Sequence, residues 1–127
     1  MNNLKGVGID IFEKKRMQAA LAKASSKLFL KKILNPSEIE KHCGQKNSHL
    51  KCSVVFALKE AVLKAFGMGW NAYANFCDIN VGLKGHKAVI TLSGKTAKLA
   101  LKKGVKKIVT DYSVSHRHVV AVVALLK

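Results

Sequence analysis

The chain has 127 residues, 49% of them hydrophobic, and its 23 lysine and arginine residues outweigh 7 aspartate and glutamate to give a formal charge of +16 at pH 7. That apolar content excludes a disordered chain, and the length suits one compact domain over residues 1–127. No apolar run reaches the roughly 20 residues of a membrane-spanning helix, and "MNNLKGVGIDIF" lacks the pattern of a signal peptide, so a cytoplasmic protein is expected.

The first predicted element is a strand, "LKGVGIDIF", with Val7, Ile9 and Ile11 on one face. Gly6, Gly8 and Asp10 share the other face, which leaves the backbone around the aspartate open to close approach. Asp10 and Glu13 have capping-box spacing, so an N-cap is the ordinary use of that aspartate. From Glu13 to about Lys32 the pattern turns helical, with Met17, Ala20, Leu21, Ala24 and Leu28 recurring on one side. "NPSE" starts another helix: Pro36 suits a first turn, and Glu38 and Glu40 favour a helix N-terminus. "CGQKNSH" is a polar break before a long helix, about Leu50 to Phe66, which Gly67 and Gly69 end. After a loop around "NAYANF", "CDINVGL" and "KAVITL" read as strands joined by a "KGH" hairpin turn. "SGKTAKLALKKG" is an amphipathic helix that stops at Gly104, and "VKKIVTDYSVS" and "HVVAVVALL" are closing strands around His116 and Arg117. The order predicts a single α+β domain, with a largely antiparallel sheet packed against the long central helix.

The charge favours an anionic partner: nucleic acid, an acidic protein, a phosphorylated ligand or a lipid surface. Only Arg16 and Arg117 are arginines, the residue preferred for bidentate phosphate and base contacts. Cys43, Cys52 and Cys77 are odd in number and form no Cys-x-x-Cys pair, which argues for reduced thiols. "HCGQKNSHLKC" gathers His42, Cys43, His49 and Cys52, but their spacing matches no standard zinc pattern.

Lys59, Glu60 and Lys64 interrupt the otherwise apolar stretch "VVFALKEAVLKAFGMGW". Charges on so apolar a helix are costly unless paired, metal-bound or open to a cleft. Glu60 and Lys64 are one turn apart in the favourable order, which also suits a plain solvated ion pair. A polar strip lining a cleft is the sharper reading. Asp10 and Glu60, the two acids in the most apolar surroundings, then make a small open site for magnesium, which commonly takes one or two carboxylates with phosphates and waters.

"GVGIDI" and "FALKEAVLKAFGMG" together resemble the short phosphopantetheinyl transferases, the family of holo-acyl-carrier-protein synthases. "DIFEKKRM", "ILNPSEIE", "FCDINV", "ITLSGKTAKLALKKGVKKI" and "SVSH" match it in order, so nearly the whole chain is covered. The resemblance implies the fold of that family. It also implies magnesium-dependent transfer of the 4′-phosphopantetheine arm of coenzyme A to a serine of apo acyl carrier protein, for fatty acid biosynthesis, with release of adenosine 3′,5′-bisphosphate. On matching positions Asp10 and Glu60 would hold the metal, and Lys64 would neutralise the phosphate under attack. Glu60 would help deprotonate the serine. Gly67, Gly69 and His116 would join Lys64 in binding coenzyme A, His116 across a subunit boundary of a homotrimer. Arg16, Met17, Lys23 and Lys27 would dock the acidic carrier protein. Val55 stands where an arginine often precedes the phenylalanine, and Lys87 where a proline is common; both bear on coenzyme A affinity. The alternative from another class is a basic nucleic-acid-binding module, which leaves the strip on the long helix unexplained and lacks an aromatic stacking surface.

Overall fold

The computed structural model describes residues 3–43, 48–68 and 75–127. Strand β1 (Leu4–Glu13) leads into three helices, α1 (Lys14–Ala22), α2 (Ser26–Ile33) and α3 (Pro36–His42), and then into the long helix α4 (Ser48–Ala65). A 3-10 turn at Phe76–Asp78 precedes the hairpin β2 (Ile79–Lys84) and β3 (Lys87–Leu92), followed by α5 (Gly94–Lys102), β4 (Lys107–Val114) and β5 (His118–Leu126). Strands β1, β5 and β4 form one antiparallel sheet in that order, and β2 with β3 forms a second. Among the described residues, no helix is long and apolar enough to cross a membrane.

Helix α4 lies against the inner face of the larger sheet. The core forms where its Leu58, Ala61, Val62 and Ala65 meet Val119, Ala121, Val123 and Leu125 of β5. The glycines of β1 allow that approach. A Cβ on Gly8 would stand 1.9 Å from the carbonyl oxygen of Ala61, and one on Gly6 would stand 2.1 Å from that of Ala65. No side chain fits between strand and helix there, so the glycine face expected from the sequence is the face that meets α4. Val7, Ile9 and Ile11 consequently point outward, as do Val109, Val120 and Val122 on the neighbouring strands, and all six are exposed.

The helical pattern from Glu13 to Lys32 is two helices rather than one. Lys23, the C-cap of α1, is extended at ψ 152° and its N–H bonds back to Ala20; Ser25 then N-caps α2. The break shifts the buried stripe: Ile33 turns inward while Leu28 is 65% exposed. Met17 is fully buried on α1. The capping box also differs from the expected one. Asp10 lies inside β1, and Glu13 precedes α1 without a side-chain cap bond. The box belongs to α3, where Asn35 Oδ1 accepts from the Glu38 N–H and Glu38 Oε1 from the Asn35 N–H, each at 2.9 Å.

Helix α4 ends as a Schellman motif: Gly67 has φ 73°, its N–H donates to Lys64, and the Met68 N–H donates to Leu63 at 2.8 Å. Gly69 and most of "NAYANF" lie outside the described residues, as does the middle of "CGQKNSH". The two-residue turn Gly85–His86, with Gly85 at φ 59°, closes the β2–β3 hairpin where "KGH" was expected to turn.

Candidate active site

Of the three charges on α4, Lys59 does not share the cleft with the other two. It is fully buried, and its Nζ donates to the carbonyl of Ile33 at 2.7 Å, the carbonyl of Phe76 at 2.8 Å and the carboxylate of Glu38. Glu38 Oε2 accepts in turn from the Val81 N–H at 2.8 Å. The pair joins α4 to the start of α3, the end of α2, the 3-10 turn and β2. Burial pulls the Lys59 ammonium below the usual lysine range, and the Glu38 carboxylate pulls it back up. Lys59 is therefore a structural tie, which corrects the expectation that all three charges face one cleft.

Glu60 and Lys64 do meet Asp10. Lys64 Nζ donates to Asp10 Oδ1 at 2.9 Å and to the carbonyl of Ile9 at 3.1 Å, with half of the lysine side chain exposed. A cleft of about 390 Å³ opens beside this pair, lined by Asp10, Phe12, Arg16, Phe29, Phe56 and Glu60. Phe56 stacks on Phe76 at 5.6 Å and meets Phe12 at 4.9 Å. The guanidinium of Arg16 lies 5.4 Å above the ring of Phe12. Burial against this aromatic wall pushes the Glu60 carboxyl up, and the Asp10 charge adds to the push; Lys64 and Arg16 oppose it.

Two carboxylates that repel one another at an open cleft fit a divalent cation. Among the described residues no group of three or more His, Cys, Asp or Glu gathers to hold a metal on protein ligands alone. The Asp10–Glu60 pair suits magnesium instead, which completes its shell with water and phosphate oxygens. The zinc-like stretch forms no such group. His42 Nε2 faces the carbonyl of Val81 at 3.3 Å, and the Cys43 and Cys52 sulfurs face each other as thiols at 3.5 Å. Burial and the neighbouring thiol push Cys52 up to about 12.

The other expected site residues lie apart from this cleft. His116, in the turn between β4 and β5, lines a groove of about 530 Å³ with Glu13, Lys14, His49, Arg117 and His118. A bond from the Lys14 N–H to the Arg117 carbonyl, 2.9 Å long, fixes this turn to the start of α1. Gly67 is exposed at the end of α4, and Lys23 and Lys27 are exposed around the α1–α2 break. Met17 is core and offers a partner nothing. Val55 is fully buried and Lys87 is exposed at the start of β3. A further cavity of about 750 Å³ lies between α4 and the β2–β3 hairpin, bordered by Lys41, Lys51, Lys84, His86 and Tyr112. The place of Arg16 in the carboxylate cleft, and the ring of phenylalanines around it, escaped the reading of the sequence. Phe12 lies two residues from Asp10 on the same strand face, which was the available signal.

Known proteins show the same arrangement of sequence and fold. Residues 6–123 match the family model of the 4'-phosphopantetheinyl transferase superfamily. The chain is 36% identical over 104 residues to a holo-acyl-carrier-protein synthase of Solibacter usitatus, covering 81% of this chain and 82% of that one. It is 35% identical over 121 residues to one of Vibrio cholerae, covering 94% and 95%. Among solved structures, a holo-acyl-carrier-protein synthase from Neisseria meningitidis superposes with a TM-score of 0.87 at 26% identity, over 98% of this chain and 99% of that chain. The Helicobacter pylori synthase in complex with coenzyme A superposes with a TM-score of 0.78 at 28% identity, over 94% and 98%. The nucleic-acid-binding alternative finds no counterpart among these relatives. Sequence and fold agree over almost the whole length, and the chain belongs to the 4'-phosphopantetheinyl transferase superfamily.

Proposed function

We propose that this chain is a holo-acyl-carrier-protein synthase. It transfers the 4′-phosphopantetheine arm of coenzyme A to a serine of apo acyl carrier protein in fatty acid biosynthesis, leaving adenosine 3′,5′-bisphosphate. The observation that carries the reading is the meeting of Asp10 from β1 with Glu60 and Lys64 from α4 at one open cleft. Phosphoryl transfer needs alignment and charge stabilisation more than covalent help from the protein. The serine oxygen forms a bond to the phosphorus that carries the pantetheine arm, the bond to the bridging oxygen breaks, and the nucleotide leaves with that oxygen and its charge.

Magnesium held by Asp10 and Glu60 would supply Lewis-acid neutralisation of the diphosphate. Lys64 fixes the Asp10 carboxylate through its 2.9 Å bond and offers its exposed ammonium to the phosphate under attack. Glu60 takes the serine proton, directly or through water. The exposed backbone at Gly67 lies near enough in sequence to Lys64 to share in holding coenzyme A, with Gly69 following it.

An acidic carrier protein finds its complement in the lysines around the α1–α2 break, Lys23 and Lys27, with Lys14 and Lys15 earlier on α1. The assembly proposed is a homotrimer, as the family resemblance implies, and the exposed apolar face of the larger sheet supports burial between chains. In that assembly His116 serves a neighbouring chain's nucleotide from the basic groove it lines, away from its own chain's carboxylates. The three free thiols agree with a cytoplasmic setting.

Replacing Glu60 with glutamine tests the reading. Release of adenosine 3′,5′-bisphosphate from coenzyme A and apo carrier protein should fall roughly a hundredfold or more, with the circular dichroism spectrum unchanged. An unfolded variant would mark Glu60 as structural, and full activity would remove it from the chemistry.

A further inference from the structure

The cleft holds two carboxylates and is served by two cations, and those cations are not equivalent. Lys64 is engaged: its Nζ donates to Asp10 and to the Ile9 carbonyl. Arg16 lines the cleft without a carboxylate or carbonyl partner among the described residues. It is also held in place. Its guanidinium rests 5.4 Å over the Phe12 ring, and Phe12 is set against Phe56, which stacks on Phe76. Phe12 and Phe76 are buried, so the platform is part of the core and does not wander with the surface. A guanidinium on an aromatic face keeps its N–H edge free for an anion, and that planar fork matches two oxygens of one phosphate at once. The charge of Arg16 already reaches Glu60 across the cleft. Among 23 basic residues only two are arginines, and one stands here.

We infer that Arg16 is a substrate-contacting residue of the cleft: its guanidinium binds the coenzyme A diphosphate rather than serving only as a docking charge for the carrier protein. The inference rests on the proposed transferase reading and gives one more residue to the same site. Lys64 divides its ammonium between Asp10 and the phosphate under attack, whereas Arg16, among the described residues, has no carboxylate or carbonyl to give up before it meets an entering diphosphate, and its rest on the Phe12 ring reduces the side-chain freedom lost on binding.

The test is calorimetric titration of coenzyme A with magnesium into wild type, Arg16→Met, Arg16→Lys and Lys27→Met, with carrier protein absent. Parallel kinetics give the KM of each substrate. Arg16→Met should weaken coenzyme A binding about tenfold, the loss of one charged hydrogen-bonding group. Arg16→Lys should restore part of it, and Lys27→Met should leave coenzyme A binding unchanged while raising only the KM for carrier protein. Because Arg16 is exposed, all variants should keep the wild-type circular dichroism. If Arg16→Met raises the carrier-protein KM alone and binds coenzyme A like wild type, Arg16 is a docking residue and the inference is overturned. If wild type itself neither binds coenzyme A nor transfers the arm, the transferase reading fails and the inference fails with it, a result separable from the first by the wild-type titration.

Discussion

Lys59 and Glu60 are adjacent in sequence, yet a helix turns about 100° between them, and that rotation separates a structural tie from a chemical group. Lys59 enters the core, where two backbone carbonyls and Glu38 accept hydrogen bonds from its ammonium. Glu60 reaches the cleft and meets Asp10. A buried ammonium with all its donors used is stable only as a set, so removing one partner leaves the other charged and unpaired. Replacing Lys59 with methionine should therefore destabilise the fold by about 3–5 kcal/mol. The double change of Lys59→Met with Glu38→Gln should cost less than the sum of the two single changes. Urea unfolding of the three variants measures both. A Lys59→Met protein as stable as wild type would show that the pair contributes nothing. Residue types alone could not make this distinction. The sequence shows two lysines and a glutamate on an apolar helix, but only the packing of α3 and the 3-10 turn against α4 shows which lysine has buried acceptors.

At the scale of elements, the contact of β1 with α4 decides where the site forms. Gly6 and Gly8 let the strand backbone touch the helix, which sets Asp10 beside Lys64 and opposite Glu60. Gly8→Ala should lower stability by at least about 2 kcal/mol, because the added carbon meets backbone that cannot yield as a side chain does, and it should lower activity in the surviving folded fraction by displacing Asp10. Thermal unfolding with a specific-activity assay checks both, and a stable, fully active Gly8→Ala protein would contradict the role given to this contact. Much of this was legible. The period-two alternation of β1, the apolar length of α4 and the glycine that ends it all express local rules, and the structure follows them. The break between α1 and α2 was not legible, because alanine and lysine continue a helix and the one local signal against it, Ser25 at the N-cap of α2, falls within an unbroken apolar period. A helix start at "NPSE" was legible, but the capping box expected at Asp10 and Glu13 forms at Asn35 and Glu38, whose spacing is the same. At Asp10 and Glu13 the chain is extended, and sheet pairing with β5 overrides the local signal.

At the scale of the molecule, one face of the larger sheet is left apolar and open. Ile9 and Val122 are register partners on adjacent strands and both are exposed, as are Val7, Ile11, Val109 and Val120. A face of this kind on a protein that carries +16 of charge is the natural seam for self-association, since elsewhere like charges oppose contact. Sedimentation equilibrium should give three times the 13.8 kDa of the chain, and the double variant Ile9→Glu with Val122→Glu should sediment as a monomer. A wild-type protein that stays monomeric at micromolar concentration would contradict the trimer and leave the apolar face unexplained. On the proposed reading, the same basic charge would draw an acidic protein substrate to the surface beside the cleft, the charge serving docking and the arrangement of Asp10, Glu60 and Lys64 the chemistry.

The most direct test of the central claim is the mass of the product. Apo acyl carrier protein is incubated with this protein, coenzyme A and magnesium, beside an EDTA control and an Asp10→Ala variant. The account predicts a gain of roughly 340 daltons on the carrier protein, the mass of the phosphopantetheine arm, lost with EDTA and with Asp10→Ala. An unchanged mass for carrier protein treated with the folded wild-type protein would contradict it.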